Sequence, residues 1–292
     1  MRTISAPKTL LKQTQQWIKR EILDKLEIHP AAHGFREGKS IVDNAKCHLG
    51  RAVVIKLDLK DFFPTITYRR VKGLFRSLGY SEAISTLLGL LCTEPPRQEV
   101  LFDGKFYHVA IGERQLPQGA PTSPAITNLL CRRLDERLSQ LAEKWGFCYT
   151  RYADDLTFSA ANMGDKAVGR LIHLAGKIVT HEGFIVNEEK TRVLRSSNRQ
   201  TVTGIVVNEK PNINRKEWKA FRALLHNVEK NGLEKENRQH HPRFWDYIKG
   251  RASYIRMVRP DLEGKLAGYL VAIGRKHKVN VPKWAIEKTL VH

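Results

Sequence analysis

Three aspartates stand at positions where a carboxylate is unfavourable unless a cation accompanies it. Asp58 lies in the alternating run 53–59, and Asp154 is followed directly by Asp155. Strands disfavour Asp, and adjacent carboxylates repel each other. Two Mg²⁺ ions about 3.5–4 Å apart would relieve both problems, activate a hydroxyl and stabilise a leaving pyrophosphate. The acids therefore indicate a two-metal site for nucleotidyl transfer. For either motif alone, the alternative is an ordinary turn or an exposed strand residue.

The charge of the chain favours a polyanionic partner. Its 292 residues include 50 Lys and Arg against 30 Asp and Glu, a formal net charge of +20. This charge attracts polyanions, so nucleic acid is the first candidate partner. The hydrophobic content of 41% excludes a disordered or collagen-like protein. An anionic membrane surface is a weaker alternative, because no long helix has a clean basic face opposite an apolar one.

Cysteine usage and hydropathy indicate a cytoplasmic protein with no membrane partner. The cysteines are widely spaced and form no C-x-x-C pair: Cys47, Cys92, Cys131 and Cys148. We expect reduced thiols, since no secretory segment precedes them. No apolar stretch approaches the roughly 20 residues needed to cross a bilayer.

Hydrophobic periodicity predicts the elements that must position the acids. The run 53–59 alternates and predicts a strand with Asp58 on its mostly polar face. Two β-prone runs at 147–152 and 156–160 flank Ala153-Asp154 and predict a hairpin with the acids at its tip. Ala-Asp is an unusual choice there, because tight two-residue turns favour Asn-Gly or Asp-Gly.

The remaining patterns are mainly helical. Helices are predicted at 8–28, 67–79, 81–93 with Ser81 as its cap, 123–146 and 165–181, with a hairpin about Asp103-Gly104 and a strand at 202–207. After Pro211, three basic patterns at 218–228, 244–258 and 262–276 predict a separate helical module. A rigid Pro/Gly loop, 116–124, leads into the helix at 123 and can present Gln118 to a base or sugar. The alternative for this loop is a simple helix cap.

In their order along nearly the whole chain, these motifs resemble the reverse transcriptases. Asp58 matches the family's first catalytic aspartate, and Asp154 with Asp155 matches the paired acids. The resemblance implies an RNA-directed DNA polymerase, a nucleotidyltransferase whose three carboxylates are catalytic and bind two Mg²⁺ ions. It also implies an α+β right-hand polymerase fold with fingers, an antiparallel palm sheet and a helical thumb. The corresponding boundaries are 1–50 and 66–115 for the fingers, 51–65 and 116–207 for the palm, and 208–292 for a basic, RNA-binding thumb.

The same resemblance assigns the residues that handle the incoming dNTP. Arg2 corresponds to the family's triphosphate-binding arginine, and Phe63 to the aromatic that clashes with a ribonucleotide 2′ hydroxyl. Gln118, followed by Gly119, lies against the incoming nucleotide in the family. Lys190 matches a lysine proposed to protonate pyrophosphate, although by composition 187–190 is an ordinary solvated turn. Gly34-Phe35-Arg36 resembles the second conserved block.

Two short motifs resemble the bacterial retron enzymes within this family. They are Asn-Ala-x-x-His, found from Asn44 to His48, and Val-Thr-Gly, which contains Thr203 and Gly204. The resemblance implies a polymerase that copies its own structured noncoding RNA, with DNA primed from an RNA 2′ hydroxyl. The product would be a branched RNA–DNA molecule (msDNA) containing an RNA–DNA hybrid. Such systems commonly serve in antiphage defence with an effector protein.

RNA contacts are expected at both retron motifs and in the basic C-terminal section. There, Arg251 and Arg256 interleave with aromatic residues such as Tyr247 and Tyr254. Basic residues alternating with aromatics suit backbone contacts and base stacking. The alternative is that these arginines only solubilise helices.

Two other functions remain open at this point. One is a noncatalytic RNA-binding component of a defence or toxin–antitoxin complex, and the other is a group II intron-type reverse transcriptase. The sequence also departs from the family at its start, where several dozen residues usually precede the position of Arg2. We expect a misassigned start, a trimmed chain or weakened nucleotide closure. With no ribonuclease H-like domain after the helical module, RNA removal is expected to need a host enzyme.

Overall fold

The computed structural model describes residues 4–290, so Arg2 lies outside the described residues. The chain divides into two compact units. The first unit comprises 4–44 and 51–195, and the second comprises 45–50 and 196–290. Among residues 4–290, no helix combines the length and the apolar character that crossing a bilayer requires.

Up to residue 195 the elements alternate between helices and strands. In chain order they are α1 (Thr9–Glu21), α2 (Ile41–Lys46), β1 (Val53–Leu59), α3 (Tyr68–Ser77), α4 (Glu82–Cys92), β2 (Arg97–Phe102), β3 (Lys105–Ala110), α5 (Ser123–Leu130), α6 (Arg132–Lys144), β4 (Cys148–Tyr152), β5 (Asp155–Ala160), α7 (Asp165–His181) and β6 (Val186–Arg195). After residue 195 follow β7 (Thr201–Val202), β8 (Ile205–Val206), α8 (Arg215–Asn231), α9 (Leu233–Glu236), α10 (Phe244–Val258), α11 (Glu263–His277) and α12 (Lys283–Leu290).

A four-stranded antiparallel sheet, in the order β4-β5-β1-β6, organises the first unit. On the central strand β1, Val53, Ile55 and Leu57 are buried in the core. The same core contains apolar residues of α6 and α7, including Leu138 and Leu171. Because side chains alternate across a strand, Asp58 lies on the face opposite this core. The predicted strand and the orientation of Asp58 are confirmed.

Local signals account for several other elements. Ser81 Oγ accepts a hydrogen bond from the Ile84 N–H (3.4 Å) and caps α4 as predicted. The turn between β2 and β3 consists of Asp103 and Gly104, both with positive φ, as two-residue hairpins prefer. Both strands of this hairpin are exposed along their whole length.

Three predicted elements differ in the structure. Residues 187–190 are part of the long strand β6, and the prediction of a solvated turn is wrong. The single helix at 123–146 is interrupted at Cys131, and the strand at 202–207 is two short strands, β7 and β8, joined by Thr203 and Gly204. Both turn residues have positive φ, which matches a tight hairpin turn.

Helices dominate the second unit, as the basic periodic segments predict. Its core is built from α8, α10 and α11, with Leu225, Ile248 and Leu270 fully buried. Helix α11 contacts α8, α10 and α12.

Candidate active site

Two of the three aspartates meet through strand pairing. Asp58 on β1 is the direct antiparallel partner of Asp155 on β5. Directly opposed residues point to the same face of a sheet, with Cβ atoms about 4.5–5.5 Å apart. Asp154 precedes Asp155 in the turn, and its carbonyl accepts a hydrogen bond from the Leu59 N–H (3.0 Å). The sheet therefore brings together the acids that the sequence singles out.

The surroundings of Asp155 raise the pKa of its carboxyl. Burial raises the pKa of this carboxyl above its usual range, and the charges of Asp154 and Asp58 raise it further, whereas Lys56 and Lys190 act in the opposite direction. Clustered carboxylates with hard oxygen donors suit a divalent cation. Within residues 4–290, however, no three acidic, His or Cys side chains are gathered closely enough to hold a metal ion.

A bulge in the edge strand directs Lys190 to the acids. Lys56 pairs with Arg192 of β6, whereas Asp58 pairs with Asn187, so the register shifts between these two positions. Residues 188–191 lie in the resulting bulge, a feature that often re-aims side chains next to active sites. Lys190 Nζ lies 3.1 Å and 3.2 Å from the two carboxylate oxygens of Asp58. A protein cation thus neutralises Asp58.

A cavity of about 500 Å³ adjoins the acid turn. It is lined by Phe63, Gln118, Gly119 and Asp154, among others. These four residues come from three distant segments, and the sequence predicts all of them as site residues. Their convergence forms a pocket within the size range of small-ligand sites.

The two adjacent phenylalanines have different environments. Phe62 is 3% exposed and belongs to the core, whereas Phe63 is half-buried, and both residues line the cavity. Both residues lie in a turn after β1 has ended at Leu59. The ring of Phe63 is 6.1 Å from that of Phe35, which also lines the cavity.

The turn that holds Asp154 contains an unfavourable backbone conformation. Ala153 has a φ of 56°, in the left-handed region that residues with a side chain rarely adopt. Gly34 packs directly against this turn, and a β-carbon at residue 34 would lie 2.5 Å from the Ala153 nitrogen. Only glycine therefore fits at position 34.

A buried polar network contacts the turn that holds Asp154. Arg151 and Asp135 are both fully buried and form a bidentate pair, with N···O distances of 2.8 Å and 2.7 Å. Arg151 Nη1 also donates to the Ala153 carbonyl (3.3 Å), and Asn128 Nδ2 donates to the Gly34 carbonyl (2.9 Å). Burial opposes the charge of Arg151, but the Asp135 carboxylate more than compensates, so the pKa of Arg151 is raised.

The sequence analysis did not identify this network. A detectable signal was present in α6, where Asp135 occupies the same helical stripe as the apolar Leu134, Leu138 and Ala142. A charged residue at such a position requires a buried partner.

We predict that Gly34→Ala destabilises the protein by about 1–3 kcal/mol, because the added methyl group overpacks against the backbone of the acid turn. Urea denaturation measures the change. Gly73→Ala is the matched control, since Gly73 is exposed in α3 with open space around its α-carbon. Equal stability of the two variants would contradict the close packing of Gly34.

The residues of the first retron motif, for which RNA contacts are predicted, are buried in this structure, and the contacts stay a prediction. Asn44 is 1% exposed and His48 is fully buried, so neither side chain is available to an RNA at the surface. Asn44 lies in the first unit, and His48 lies in the segment 45–50 of the second unit. Burial indicates that these residues support the local structure.

The other predicted RNA contacts lie in the second unit with different exposures. Gly204 is exposed and Thr203 half-exposed at the tip of the β7–β8 turn. Arg251 pairs with Glu217 at 2.5 Å, and Arg256 pairs with Glu263 at 2.6 Å. The two arginines therefore already have carboxylate partners within their own unit.

An exposed basic stripe on α8 was also missed. It consists of Arg215, Lys219, Arg222 and His226, none of which forms an ion pair among the described residues. Their spacing of four, three and four residues places them on one helical face over about 16 Å. The same periodicity, applied to basic instead of apolar residues, would have revealed this stripe from the sequence.

Comparison with known proteins identifies the class to which this fold and site belong. Residues 1–219 match the family model described as reverse transcriptase (RNA-dependent DNA polymerase). The chain belongs to the reverse transcriptase family.

Its similarity to curated proteins places it among the retron members of that family. It is 48% identical to the retron Mx162 reverse transcriptase of Myxococcus xanthus over 273 residues, covering 89% of this chain and 55% of the relative. It is 36% identical to the retron Ec86 reverse transcriptase of Escherichia coli over 281 residues, covering 96% of this chain and 79% of the relative. The chain spans 55% and 60% of the length of the two M. xanthus relatives that it matches.

Solved structures support the fold. The telomerase of Candida albicans, in complex with a fragment of telomeric RNA, aligns with a TM-score of 0.52 at 12% identity. The alignment covers 95% of this chain and 54% of the telomerase. The antiparallel sheet with its surrounding helices is thus a reverse transcriptase fold.

Proposed function

We propose that this chain is the RNA-directed DNA polymerase of a retron. In this proposal the enzyme copies part of its own structured noncoding RNA into DNA, starting from an RNA 2′ hydroxyl. The observation that carries the proposal is the cavity of about 500 Å³ in which Phe63, Gln118 and Gly119 adjoin Asp154. Retron relatives with 36–48% identity support the choice of reaction.

Each cavity residue has a role in the proposed reaction. The Phe63 ring limits the space available to a 2′ hydroxyl, so the site selects dNTPs. Gln118 and Gly119 form one wall, against which the base and sugar of the nucleotide would lie. The packing of Gly34 and the hydrogen bond from Arg151 hold the turn that positions Asp154.

Asp58, Asp154 and Asp155 are the residues that would hold Mg²⁺. Their carboxylate oxygens are the donors that Mg²⁺ prefers, and Asp58 is the direct cross-strand partner of Asp155, although the three side chains are not gathered into a metal-binding cluster in the described part of the chain. Two bound Mg²⁺ ions would supply activation of the attacking hydroxyl and stabilisation of the leaving pyrophosphate. Lys190 Nζ pairs with Asp58 Oδ1 at 3.1 Å, and in this proposal its ammonium group donates a proton to pyrophosphate.

The proposal extends to organisation and biological role. We assign the segments up to residue 50 and 66–115 to the fingers, 51–65 and 116–207 to the palm, and the basic helical segment 208–292 to an RNA-binding thumb. The basic stripe on α8 supports the last assignment, because exposed cations that form no ion pair among the described residues suit phosphate contacts. We also propose a role in antiphage defence together with an effector protein. The four free thiols support a cytoplasmic location.

Primer extension tests the polymerase function. The chain is incubated with an RNA template, an annealed DNA primer, dNTPs and MgCl₂, and the expected result is a DNA product that depends on all four components. Absence of extension with Mg²⁺ and with Mn²⁺ would reject the polymerase. The retron part is tested by coexpression with the DNA upstream of the gene, which should encode a foldable RNA with inverted repeats and yield a branched RNA–DNA product.

We predict that Phe63→Ala raises ribonucleotide incorporation, relative to dNTP incorporation, by about 10- to 100-fold, because it removes the steric block. Single-nucleotide extension with dGTP or GTP measures the ratio. Phe102→Ala serves as the matched control, since Phe102 is 71% exposed on the β2–β3 hairpin. An unchanged ratio in the Phe63 variant would exclude the steric role.

A further inference from the structure

A second cavity lies wholly within the helical unit. Its volume is about 420 Å³, and its lining includes Asn227 of α8, Glu236 of α9, and Phe244 and Tyr247 of α10. His241 from the connecting segment also lines it. Neither the acid cluster nor the first cavity includes these residues.

One wall of this cavity is an aromatic platform. The ring of Tyr247 stacks on Phe244 with centroids 6.4 Å apart and an interplanar angle of 12°, and the His241 ring lies 5.5 Å from Tyr247. Tyr247 nevertheless remains 46% exposed. A partly exposed, supported aromatic ring suits stacking with a planar nucleobase.

A buried carboxylate supplies the polar recognition group. The Glu236 side chain is only 7% exposed, and its Oε1 accepts a hydrogen bond from Asn231 Nδ2 (2.9 Å). Its Oε2 forms an ion pair with Arg238 Nη2 at 3.6 Å, beyond hydrogen-bond distance. A carboxylate has about four acceptor sites, and in the described part of the chain Asn231 alone donates to this one at hydrogen-bond distance. Glu236 therefore has acceptor capacity for a ligand.

Local hydrogen bonds hold the cavity open before any ligand binds. Asn237 Nδ2 donates to the His241 carbonyl (3.0 Å), and the His241 N–H donates back to Asn237 Oδ1 (2.8 Å). The Arg243 N–H donates to His241 Nδ1 (3.1 Å). These bonds fix the segment that carries His241, so little ordering is needed on binding.

We propose that this cavity binds an unpaired guanine base of RNA. Guanine is the only standard base whose Watson–Crick edge has two adjacent N–H donors, N1–H and N2–H, and a carboxylate can accept both. The Asn227 amide can donate to guanine O6. Adenine, cytosine and uracil each place an acceptor next to their donor, which the Glu236 carboxylate repels.

The charge on α8 favours RNA over a free nucleotide. Ala220, Ala223 and Asn227 of this helix line the cavity. The exposed cations Lys219 and Arg222 lie on the neighbouring face of the same helix. A strand whose phosphates follow these cations can turn one base into the cavity. This inference rests on the proposed function, which supplies an RNA partner, and it specifies how that RNA is read.

Binding of labelled RNA tests the inference. The probes are single-stranded octauridines with one central position changed to G, A, C or inosine, and fluorescence anisotropy gives each Kd at one salt concentration. We expect the G probe to bind at least about tenfold more tightly than the A, C and all-U probes. Inosine, which lacks the 2-amino group, should be intermediate. Equal Kd values for the four standard bases would overturn the inference.

Two variants assign the effect to the cavity. Glu236→Gln replaces one acceptor by a donor and should abolish the preference for G, whereas the matched control Glu234→Gln, at an exposed site on α9, should retain it. A preference for G that persists in Glu236→Gln would overturn the inference. If that variant melts early in circular dichroism, Tyr247→Leu replaces it, because it removes only the stacking ring and should weaken G binding.

Two further measurements separate the remaining outcomes. Free GMP that binds as tightly as the G octamer would indicate a small-molecule site and reject RNA as the occupant. Primer extension by the unmodified chain is measured independently of these titrations. Absence of primer extension together with a preference for the G probe would reject the polymerase function and support the guanine cavity. Primer extension without a preference for the G probe would support the polymerase function and reject the guanine cavity.

Discussion

Replacement of Asp154 and Asp155 together by Ala is expected to lower dNTP incorporation by at least about 10³-fold, because the transition state would lose most of its charge stabilisation. The two residues follow one another at the tip of the β4–β5 turn, and Asp155 is the cross-strand partner of Asp58. RNA affinity should stay equal or increase, because two negative charges near the phosphates disappear. Primer extension and RNA titration measure the two effects on the same preparation.

The control for this experiment removes two charges from the same part of the sheet. Glu188 and Glu189 are exposed in the β6 bulge beside Lys190, and they have no role in the proposed chemistry. The double change to Gln should leave incorporation within a few-fold of the unmodified chain. DNA synthesis by the Asp154/Asp155 variant at a comparable rate would refute the assignment of the acids and favour a noncatalytic RNA-binding function.

Replacement of Asp135 by Ala is expected to lower the free energy of unfolding by about 3–5 kcal/mol. The change leaves the fully buried Arg151 without its bidentate partner, and an uncompensated buried charge is strongly destabilising. The Tyr149 hydroxyl also loses its acceptor, Asp135 Oδ1, at 2.9 Å. Urea denaturation followed by circular dichroism provides the free energy.

An exposed ion pair is the matched control for this change. Asp24 pairs with Lys19 at 2.6 Å, and both side chains are more than 40% exposed. Asp24→Ala should therefore lower stability by at most about 1 kcal/mol. The double change Asp135→Leu with Arg151→Met should recover much of the loss, because no unpaired charge remains buried. If Asp135→Ala lowers the free energy of unfolding no more than Asp24→Ala does, the prediction is wrong, and water solvates the Arg151 guanidinium.

The hairpin that carries Asp154 and the helix cap at Ser81 could be predicted from neighbouring residues in the sequence. The β-prone runs that flank Asp154 and the residues that form the Ser81 cap each lie within a few positions of one another, so the local sequence predicts both elements. The turn residues Ala153 and Asp154 themselves are not those that local preference selects. Strand β6 was missed for the opposite reason. Its exposed, polar residues have no hydrophobic alternation, and its pairing with β1 at Asp58 is stabilised by contacts far away in the sequence.

The residue types and spacing along this chain were sufficient to single out Asp58, Asp154 and Asp155, to indicate a polyanionic partner through the net charge, and to carry the resemblance to the reverse transcriptases. Only the tertiary structure decided that Asp58 faces Asp155, that Lys190 pairs with Asp58, and that Asn44 and His48 are buried. Register and burial arise when distant segments pack together, because each side chain's environment is then set by residues from other elements. Local propensity depends only on neighbouring residues, so it cannot predict register or burial.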